Sequence, residues 1–257
     1  MVDVLAGFLV GLVVGLTGVG GGALMTPILV LLFGMPPATA VGTDLWFAAI
    51  TKVVGGSIHG QRSGVDWQVV RRLWWGSLPA ALGTLTWLHT TGQQGPVDTT
   101  IKVVLGAVLL ATAAAMAFKP QLHAWGSRLR VQEPGRFKRW QPAATVAAGA
   151  LLGFLVTLTS IGAGALGAVM LLYLYPLRMV PGRLVGTDIV HAVPMTLVAG
   201  AGHLAMGNVD LSLLGLLLLG SVPGVAIGAL ASGRVSEPML RNAIAFVIGI
   251  VGVKLVM

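Results

Sequence analysis

Long apolar stretches, separated by short polar breaks, constrain the fold of this chain more than any other feature of its sequence. About 20 consecutive apolar residues let an α-helix cross the hydrocarbon core of a bilayer. Only structures that close their backbone hydrogen bonds internally are stable there. The sequence therefore predicts an all-α, polytopic membrane protein. The apolar stretches are 4–33, 42–59, 68–90, 99–118, 142–175, 184–206, 211–232 and 238–257.

The composition excludes the main soluble classes. Charged residues make up 9% of the chain and hydrophobic residues 56%, whereas about a quarter of a soluble domain is charged. A soluble enzyme, a disordered tail and a disulfide scaffold are thereby excluded, and the absence of cysteine excludes thiol catalysis and thiolate metal sites. The net charge of +8 is typical of the positive-inside bias of membrane proteins rather than of a nucleic-acid face. The N-terminus lacks the features of a signal peptide, so we expect it to belong to the mature protein.

The chain contains an internal repeat with an offset near 144 residues. Rare residues such as Asp, His and Pro keep their order in both copies, which chance similarity between apolar stretches would not preserve. The sequence therefore predicts a first transmembrane repeat at 1–118, a basic cytoplasmic linker at 119–141 and a second repeat at 142–257, an organisation typical of transporters. The matching segments are 16–24 with 158–166, 41–44 with 185–188, His59 with His203, 65–66 with 209–210, and 76–79 with 220–223.

The first apolar stretch of each repeat is too long for a simple span. Thirty helical residues measure about 45 Å, against a hydrocarbon core of about 30 Å, and glycines interrupt both stretches near the middle. One interpretation is a tilted, kinked span, which gives eight spans and parallel halves. The other is a re-entrant hairpin of two half-helices followed by three full spans, which makes the halves inverted repeats.

The distribution of Lys and Arg favours the hairpin, because these residues concentrate on the cytoplasmic side. With eight spans, Lys102, Arg178, Arg183, Arg234 and Arg241 lie opposite the basic linker. With hairpins, only Lys102 and Lys254 do so among the Lys and Arg outside the spans. We therefore predict inverted repeats with both termini outside.

The glycine breaks are the first candidate site. In the hairpin arrangement Gly18–Gly22 and Ser160–Gly164 lie near the midplane, where the second half-helix of each pair begins. The first amides of a helix lack intrahelical partners and attract anions, and glycine lets a ligand approach them closely. Tight helix packing is the alternative explanation. Repetition at symmetric positions beside Thr17, Thr159 and Ser160 favours the site.

Charged residues inside the spans are further candidates, because they are costly there and usually functional. Thr43-Asp44 and Thr187-Asp188 open the second span of each repeat, where helix capping is the alternative role. Lys52 is a candidate counter-charge for an anion or for a group that exchanges protons, and an ion pair with an aspartate elsewhere in the bundle is the alternative. Its symmetric residue is Thr196, so Lys52 makes the site asymmetric.

The histidines differ in their expected roles. His191 lies one helical turn past Thr187 and is the better candidate for proton coupling or anion contact. His59 and His203 are predicted to be interfacial rather than ligating, and the spacing indicates no metal site. Arg128, Arg130 and the other basic residues of the linker are predicted to lie at the lipid headgroups.

The ordered set of motifs resembles the sulfite exporter TauE/SafE family of membrane permeases over nearly the whole chain. The resemblance implies a transporter of sulfite, organosulfonates or related small anions. The matching residues are Gly18-Val19-Gly20-Gly21-Gly22, Ala40-Val41-Gly42-Thr43, His59, Gly64-Val65-Asp66-Trp67, Thr159-Ser160-Ile161-Gly162-Ala163-Gly164-Ala165-Leu166, Val185-Gly186-Thr187-Asp188, His203 and Gly207-Asn208-Val209-Asp210.

Together these observations predict a multi-pass transporter of the bacterial inner membrane, an exporter of a small sulfur oxyanion that works by alternating access and is not an enzyme. No cofactor and no nucleic-acid partner are expected, and the absence of a phosphate-binding loop leaves an ion gradient or the substrate gradient as the driving force. An anion channel, a proton-coupled importer of another organic anion and an intramembrane enzyme remain alternatives. The predicted substrate-binding residues are Thr17, Gly20, Gly21, Gly22, Thr43, Asp44, Lys52, Thr159, Ser160, Gly162, Gly164, Thr187, Asp188 and His191.

Overall fold

The computed structural model describes residues 1–17, 22–59, 64–91, 96–132, 134–232 and 236–256. These residues form eleven α-helices and contain no strand, as the apolar stretches predict. The helices are α1 (Val2–Thr17), α2 (Gly22–Leu31), α3 (Pro37–His59), α4 (Trp67–Thr91), α5 (Pro96–Ala117), α6 (Lys119–Gln132), α7 (Pro134–Thr159), α8 (Ala165–Leu174), α9 (Pro181–Ala205), α10 (Leu211–Ala231) and α11 (Glu237–Val256).

Each half contains an interrupted helix pair followed by three helices of 20 to 25 residues. The pair is α1 and α2 in the first half and α7 and α8 in the second, and α3 to α5 correspond to α9 to α11. Within the described residues, α5, α7, α9, α10 and α11 are long and apolar enough to cross a membrane. The predicted class, an all-α polytopic membrane protein with two homologous halves, is confirmed.

The basic linker predicted at 119–141 is helical rather than a loop. It forms α6 and the first turns of α7. Helix α6 packs against α8, where Gly126 lies against the Tyr173 carbonyl and the rings of Trp125 and Tyr173 are 5.7 Å apart. Packing of these side chains stabilises as a helix a segment that the sequence predicted only as a basic linker.

Glycines let the first helix of each pair pack backbone to backbone with a helix of the other half. On α1, Gly7 faces Leu217 and Gly15 faces Val225 of α10, so the two helices run parallel. A Cβ atom at Gly7 would lie 2.1 Å from the Leu217 carbonyl oxygen, which leaves no room for any side chain.

The equivalent contact of the second half is built in the same way. Gly149 and Gly153 of α7 face Leu73 and Ser77 of α4, so these helices also run parallel. The contact of α1 with α10 thus has its counterpart in that of α7 with α4. Exchanging the two halves reproduces the pattern of packing.

Equivalent helices of the two halves run antiparallel where they touch. Gly42 of α3 lies against His203 of α9, and Gly56, further along α3, lies against Ile189, which is earlier in α9. Between these contacts the indole nitrogen of Trp46 donates to the Gly200 carbonyl at 3.0 Å. Likewise Gly106 of α5 lies against Val256 at the end of α11, and Ala113, further along α5, lies against Gly249, which is earlier in α11. An inverted repeat requires this antiparallel arrangement, while the orientation of the halves in a bilayer stays a prediction.

The chain reverses direction between α7 and α8. Leu152 packs against Gly167, and the Gln141 side-chain amide, near the start of α7, donates to the Leu174 carbonyl at the end of α8. Helix α8 therefore returns to the end of the bundle from which α7 starts, as a hairpin does.

The first arm of each pair is longer than the predicted half-helix. Helix α1 has 16 residues and α7 has 26, whereas α2 and α8 have ten each. At 1.5 Å per residue α1 measures about 24 Å. The first arms are therefore longer than the expected half-helices, although they end at Thr17 and Thr159, directly before the predicted breaks. The glycines that pack against α10 and α4, such as Gly7 and Gly153, lie outside those breaks.

Candidate functional site

The turn between α7 and α8 is an irregular segment enclosed by helices. Ser160 has a φ of 57° and Gly162 a φ of 119°, both in the region that L side chains rarely adopt. The Gly162 carbonyl accepts hydrogen bonds from the Gly164 and Gly167 amides, at 2.8 and 2.9 Å. The predicted break of the second half is therefore present, with Gly164 as the residue that caps α8.

The corresponding turn of the first half is largely outside the described residues. The predicted contacts Gly20 and Gly21 fall there, and of that set Gly22 is described as the first residue of α2. Thr17, at the end of α1, donates its hydroxyl to the Val13 carbonyl of its own helix at 2.9 Å.

Asp44 of α3 lies between α2 and the α7–α8 turn. Its Oδ2 accepts hydrogen bonds from the Thr26 amide at 3.1 Å and from the Thr26 hydroxyl at 2.5 Å, and its side chain is fully buried. Ser160 lies near this carboxyl. Neither the Ser160 hydroxyl nor Asp44 Oδ1 has a hydrogen-bond partner among the described residues. The carboxyl is thus surrounded by neutral groups and keeps one oxygen available.

Lys52, two turns further along α3, pairs with Asp188 of α9. Its ammonium lies 2.9 Å from Asp188 Oδ2, and both side chains are 4% exposed. The same ammonium donates to the Ala163 carbonyl in the α7–α8 turn at 2.5 Å. The sequence left open an ion pair with an aspartate elsewhere in the bundle, and that is the contact found. Lys52 joins the first half to both α9 and the broken helix of the second.

Asp188 also lies against the start of α8. A Cβ atom at Gly167 would be 3.1 Å from Asp188 Oδ1, so glycine at this position lets the carboxylate approach the first turn of that helix. Helix N-termini favour negative charge. The place where the sequence predicts a bound anion is therefore held, in this conformation, by the carboxylate of the protein itself.

His191 lies one helical turn beyond Asp188 and is buried. Its Nε2 shares a hydrogen bond of 3.0 Å with the Ser77 hydroxyl of α4, which links α9 to a third helix beside the Lys52 pair. His203 makes its contact with the Thr157 carbonyl of α7, at 2.9 Å, and so has a partner between helices. The side chain of His59 lies outside the described part of the chain.

The threonines before the two aspartates bind backbone amides across the halves. The Thr43 hydroxyl accepts from the Asp210 amide and the Thr187 hydroxyl from the Asp66 amide, each at 3.0 Å. These bonds fix the starts of α10 and α4. Thr159 instead donates to the Leu155 carbonyl of its own helix at 2.7 Å. In this conformation these predicted contact residues therefore hold the scaffold. The expectation that Thr43 and Thr187 open and cap their own helices is wrong, because α3 begins at Pro37 and α9 at Pro181. Both threonines lie inside their helices and bind an amide next to another helix.

The structure thus brings part of the predicted set to one place. Around the α7–α8 turn it gathers Asp44, Lys52, Ser160, Gly162, Gly164, Asp188 and His191, which we call the central polar cluster. Thr26 and Ser77 also contact this cluster, and the sequence did not predict either as a site residue. Both had features that could have identified them, since Thr26 is a polar residue in the short apolar helix α2 and Ser77 lies in the repeated Gly-Ser-X-Pro motif. Within the described residues no group of three or more His, Cys, Asp or Glu side chains could hold a metal ion.

A sequence model of one protein family, described as "Sulfite exporter TauE/SafE", matches residues 4–255 of the chain. The chain belongs to this family. Together with the long apolar helices, family membership identifies the chain as a multi-pass membrane transporter.

Curated relatives support the same assignment. The chain is 39% identical to "Probable membrane transporter protein YjnA" of Bacillus subtilis (strain 168), over 98% of both chains. It is 26% identical to "Probable membrane transporter protein YdhB" of the same organism, over 99% of both chains. These names specify a transporter and no substrate. Solved structures give no significant match to this member of the TauE/SafE family.

Proposed function

We propose that this transporter exports a small sulfur oxyanion, such as sulfite or an organosulfonate, across the bacterial inner membrane. The description of its family, which names sulfite, supports the substrate class. The single observation that carries the proposal is Lys52, a buried cation held at the α7–α8 turn by Asp188 and the Ala163 carbonyl.

An oxyanion offers Lys52 the same chemistry as the Asp188 carboxylate, so the two compete for one cation. Lys52 belongs to the first half and Asp188 to the second, and their bond therefore ties the halves together. Exchange of Asp188 for the substrate releases α9 from α3. Binding is thereby linked to movement of one half against the other, as alternating access requires.

The membrane potential supports export as the direction. Moving one elementary charge across 100 mV is worth about 2.3 kcal/mol, and an inside-negative potential drives anions outward. Export of an anion therefore needs no coupling ion.

Proton-coupled import is the second candidate, and Asp44 is the observation that favours it. A buried carboxylate with no counter-charge is expensive in an apolar environment, so we propose that Asp44 holds a proton and is the site of a coupling proton. Within the described residues its neighbours Thr26 and Ser160 are neutral. Among the described titratable groups on the helices packed against α3, Asp188 binds Lys52, His191 binds Ser77, His203 binds the Thr157 carbonyl and Asp210 binds the Leu213 amide. Asp3 pairs with the N-terminal ammonium. The remaining described groups are exposed: Lys102, Arg136, Lys138, Arg139 and Arg183.

A flux assay in proteoliposomes tests the first candidate. We expect saturable sulfite flux from the compartment that is made electrically negative, and at least a tenfold loss in the double variant Lys52→Gln/Asp188→Asn. This variant removes both charges together and leaves neither buried alone. Lys102→Gln, at an exposed position of α5, is the matched control. Wild-type flux in the folded double variant would remove Lys52 from the site, and flux without saturation would favour a channel.

The same liposomes separate the two candidates through pH. If import is coupled to protons, uptake rises with an inward proton gradient and Asp44→Asn abolishes that rise. If export is driven by the potential alone, flux follows the potential and the Asp44→Asn variant responds to pH as the wild type does.

A further inference from the structure

A cavity lined by cations opens at the end of the bundle where α4, α7 and α9 begin. Its volume is about 260 Å³, and it lies between α4, α6, α7 and the loop that joins α8 to α9. Four positive side chains line it: Arg72, Arg130, Lys138 and Arg178. We call this cavity the basic vestibule. It shares no residue with the central polar cluster.

The positive charges of the vestibule are only partly compensated. Arg178 forms an ion pair with Asp66, with its Nη2 at 2.6 Å from the carboxylate. Arg72 donates to the Tyr175 hydroxyl at 3.1 Å. Neither Arg72 nor Lys138 has a carboxylate partner among the described residues. Arg130 lies over the Phe137 ring, 6.0 Å from its centroid, which is again a neutral contact. Three cations therefore line the cavity without a described acid to balance them.

The floor of the vestibule holds these groups in a fixed arrangement. Tyr175 is 1% exposed, and its hydroxyl lies 2.7 Å from the Thr145 hydroxyl as well as accepting from Arg72. The Gln141 side-chain amide donates to the Leu174 carbonyl. The hydrogen bond to this buried hydroxyl holds the Arg72 side chain in place, so binding of a ligand costs little additional side-chain entropy.

We propose that the basic vestibule is a binding site for a multivalent oxyanion. Clustered cations repel one another unless an anion lies between them, and guanidinium forks match the geometry of phosphate-like groups. At about 30 Å³ per water molecule the cavity has room for a tetrahedral oxyanion together with several waters. Such a group comes either from solution, as a free ion, or from the membrane, as the phosphate of an anionic lipid.

The test measures binding by the full chain in nanodiscs at constant ionic strength. In one arm, calorimetry follows inorganic sulfate with a zwitterionic lipid only. In the other arm, native mass spectrometry counts phosphatidylglycerol retained with chloride as the only free anion. We expect Arg72→Gln and Lys138→Gln each to weaken binding about tenfold, in line with loss of one hydrogen bond to a charged group. Lys138 is exposed, so its variant keeps the test valid if Arg72→Gln does not fold.

Arg71→Gln and Arg139→Gln are matched controls, because both residues neighbour the lining cations, carry the same charge and lie exposed outside the cavity. Loss of sulfate binding confined to the lining variants assigns the vestibule to a free oxyanion, and loss of retained lipid confined to them assigns it to lipid phosphate. Equal losses in the control variants, or no binding of either probe to the wild type, would overturn the proposal.

Discussion

Asp44 and Asp188 occupy the same position of the two repeats, at the end of the same Val-Gly-Thr-Asp motif, yet their surroundings differ in charge. Asp188 is paired with the Lys52 ammonium at 2.9 Å. Among the described residues, Asp44 accepts hydrogen bonds from Thr26, whose donors are neutral. No described cation pairs with Asp44, and the residue symmetric to Lys52 is Thr196, whose hydroxyl donates to the Ala192 carbonyl of its own helix.

The scaffold around the two aspartates is nevertheless the same. The preceding threonines, Thr43 and Thr187, each accept from an amide of the other half at 3.0 Å. The repeat therefore determines the framework, and one substitution, lysine against threonine, determines where the charge lies. The proposed anion-binding cation, Lys52, and the proposed proton-binding acid, Asp44, therefore both lie on α3 of the first half, and the second half contributes Asp188 as the partner of Lys52.

The largest expected difference is between the two conservative Asp-to-Asn variants. Asp188→Asn leaves Lys52 buried without a counter-charge, so we expect a loss of about 3–5 kcal/mol in the free energy of unfolding. Asp44→Asn keeps an oxygen that accepts from Thr26 and buries no charge, so we expect a change within about 1 kcal/mol. Thermal unfolding of the purified variants in one detergent measures both. Equal destabilisation by the two variants would mean that Asp44 is ionised and that the comparison fails.

Substitution of Thr26, which supplies both described donors to Asp44, should lower the free energy of unfolding by less than Asp188→Asn does. Thr26→Val keeps the shape of the side chain and removes its hydroxyl, so we expect a loss of about 1–3 kcal/mol. Thr196→Val is the control, since that hydroxyl bonds only within its own helix and its loss should cost less than about 0.5 kcal/mol. Chemical unfolding monitored by tryptophan fluorescence compares them. A control as damaging as Thr26→Val would count against a special role for the Asp44 contact.

The smallest expected change in stability is at Asp210, which directly precedes α10 and caps its N-terminus. The backbone amide of Leu213 and the hydroxyl of Ser212 hold the pKa of Asp210 below its ordinary value of 3.8. A lowered pKa in the folded protein means that the stabilisation is present above the unfolded value and is lost as the pH falls through the folded one. Asp210→Ala should cost about 1 kcal/mol at neutral pH and progressively less in acid.

Asp210→Asn retains the capping oxygen and provides the control, because it should show no such dependence on pH. Thermal unfolding between neutral and acidic pH measures the difference between the two variants. The equivalent Asp66 also binds Arg178 at 2.6 Å. Removal of Asp66 should therefore cost more than removal of Asp210, and the reverse order would contradict the described capping geometry.

The sequence was sufficient for the class, the repeat and most members of the central polar cluster. Apolar length alone required membrane helices, and Asp44, Lys52, Asp188 and His191 were conspicuous because ionisable residues are rare inside apolar stretches. The sequence did not indicate which of these side chains contact one another. Nothing in the spacing of Thr26 and Asp44 indicates a contact, because α2 and α3 meet only after the chain has turned between them.

The sequence was also insufficient to assign the roles of the glycines. It assigned a role only to the glycines of the two predicted breaks, whereas Gly7 and Gly15, outside those breaks, let α1 lie directly on α10. The second-half break contains Ser160 and Gly162 at positive φ, and most of the first-half break lies outside the described residues. Glycine permits both close packing and unusual backbone angles, and residue identity alone does not distinguish them.

What the sequence determined by itself is therefore whatever depends on composition and order along the chain: the membrane class, the two halves and the rarity of Lys52 among apolar residues. What only the tertiary structure decided is which charges meet. Pairing depends on distances between helices of opposite halves, and electrostatic energy falls with distance, so the bond from Lys52 to Asp188, and the lack of a described cation at Asp44, emerge only once the helices are packed.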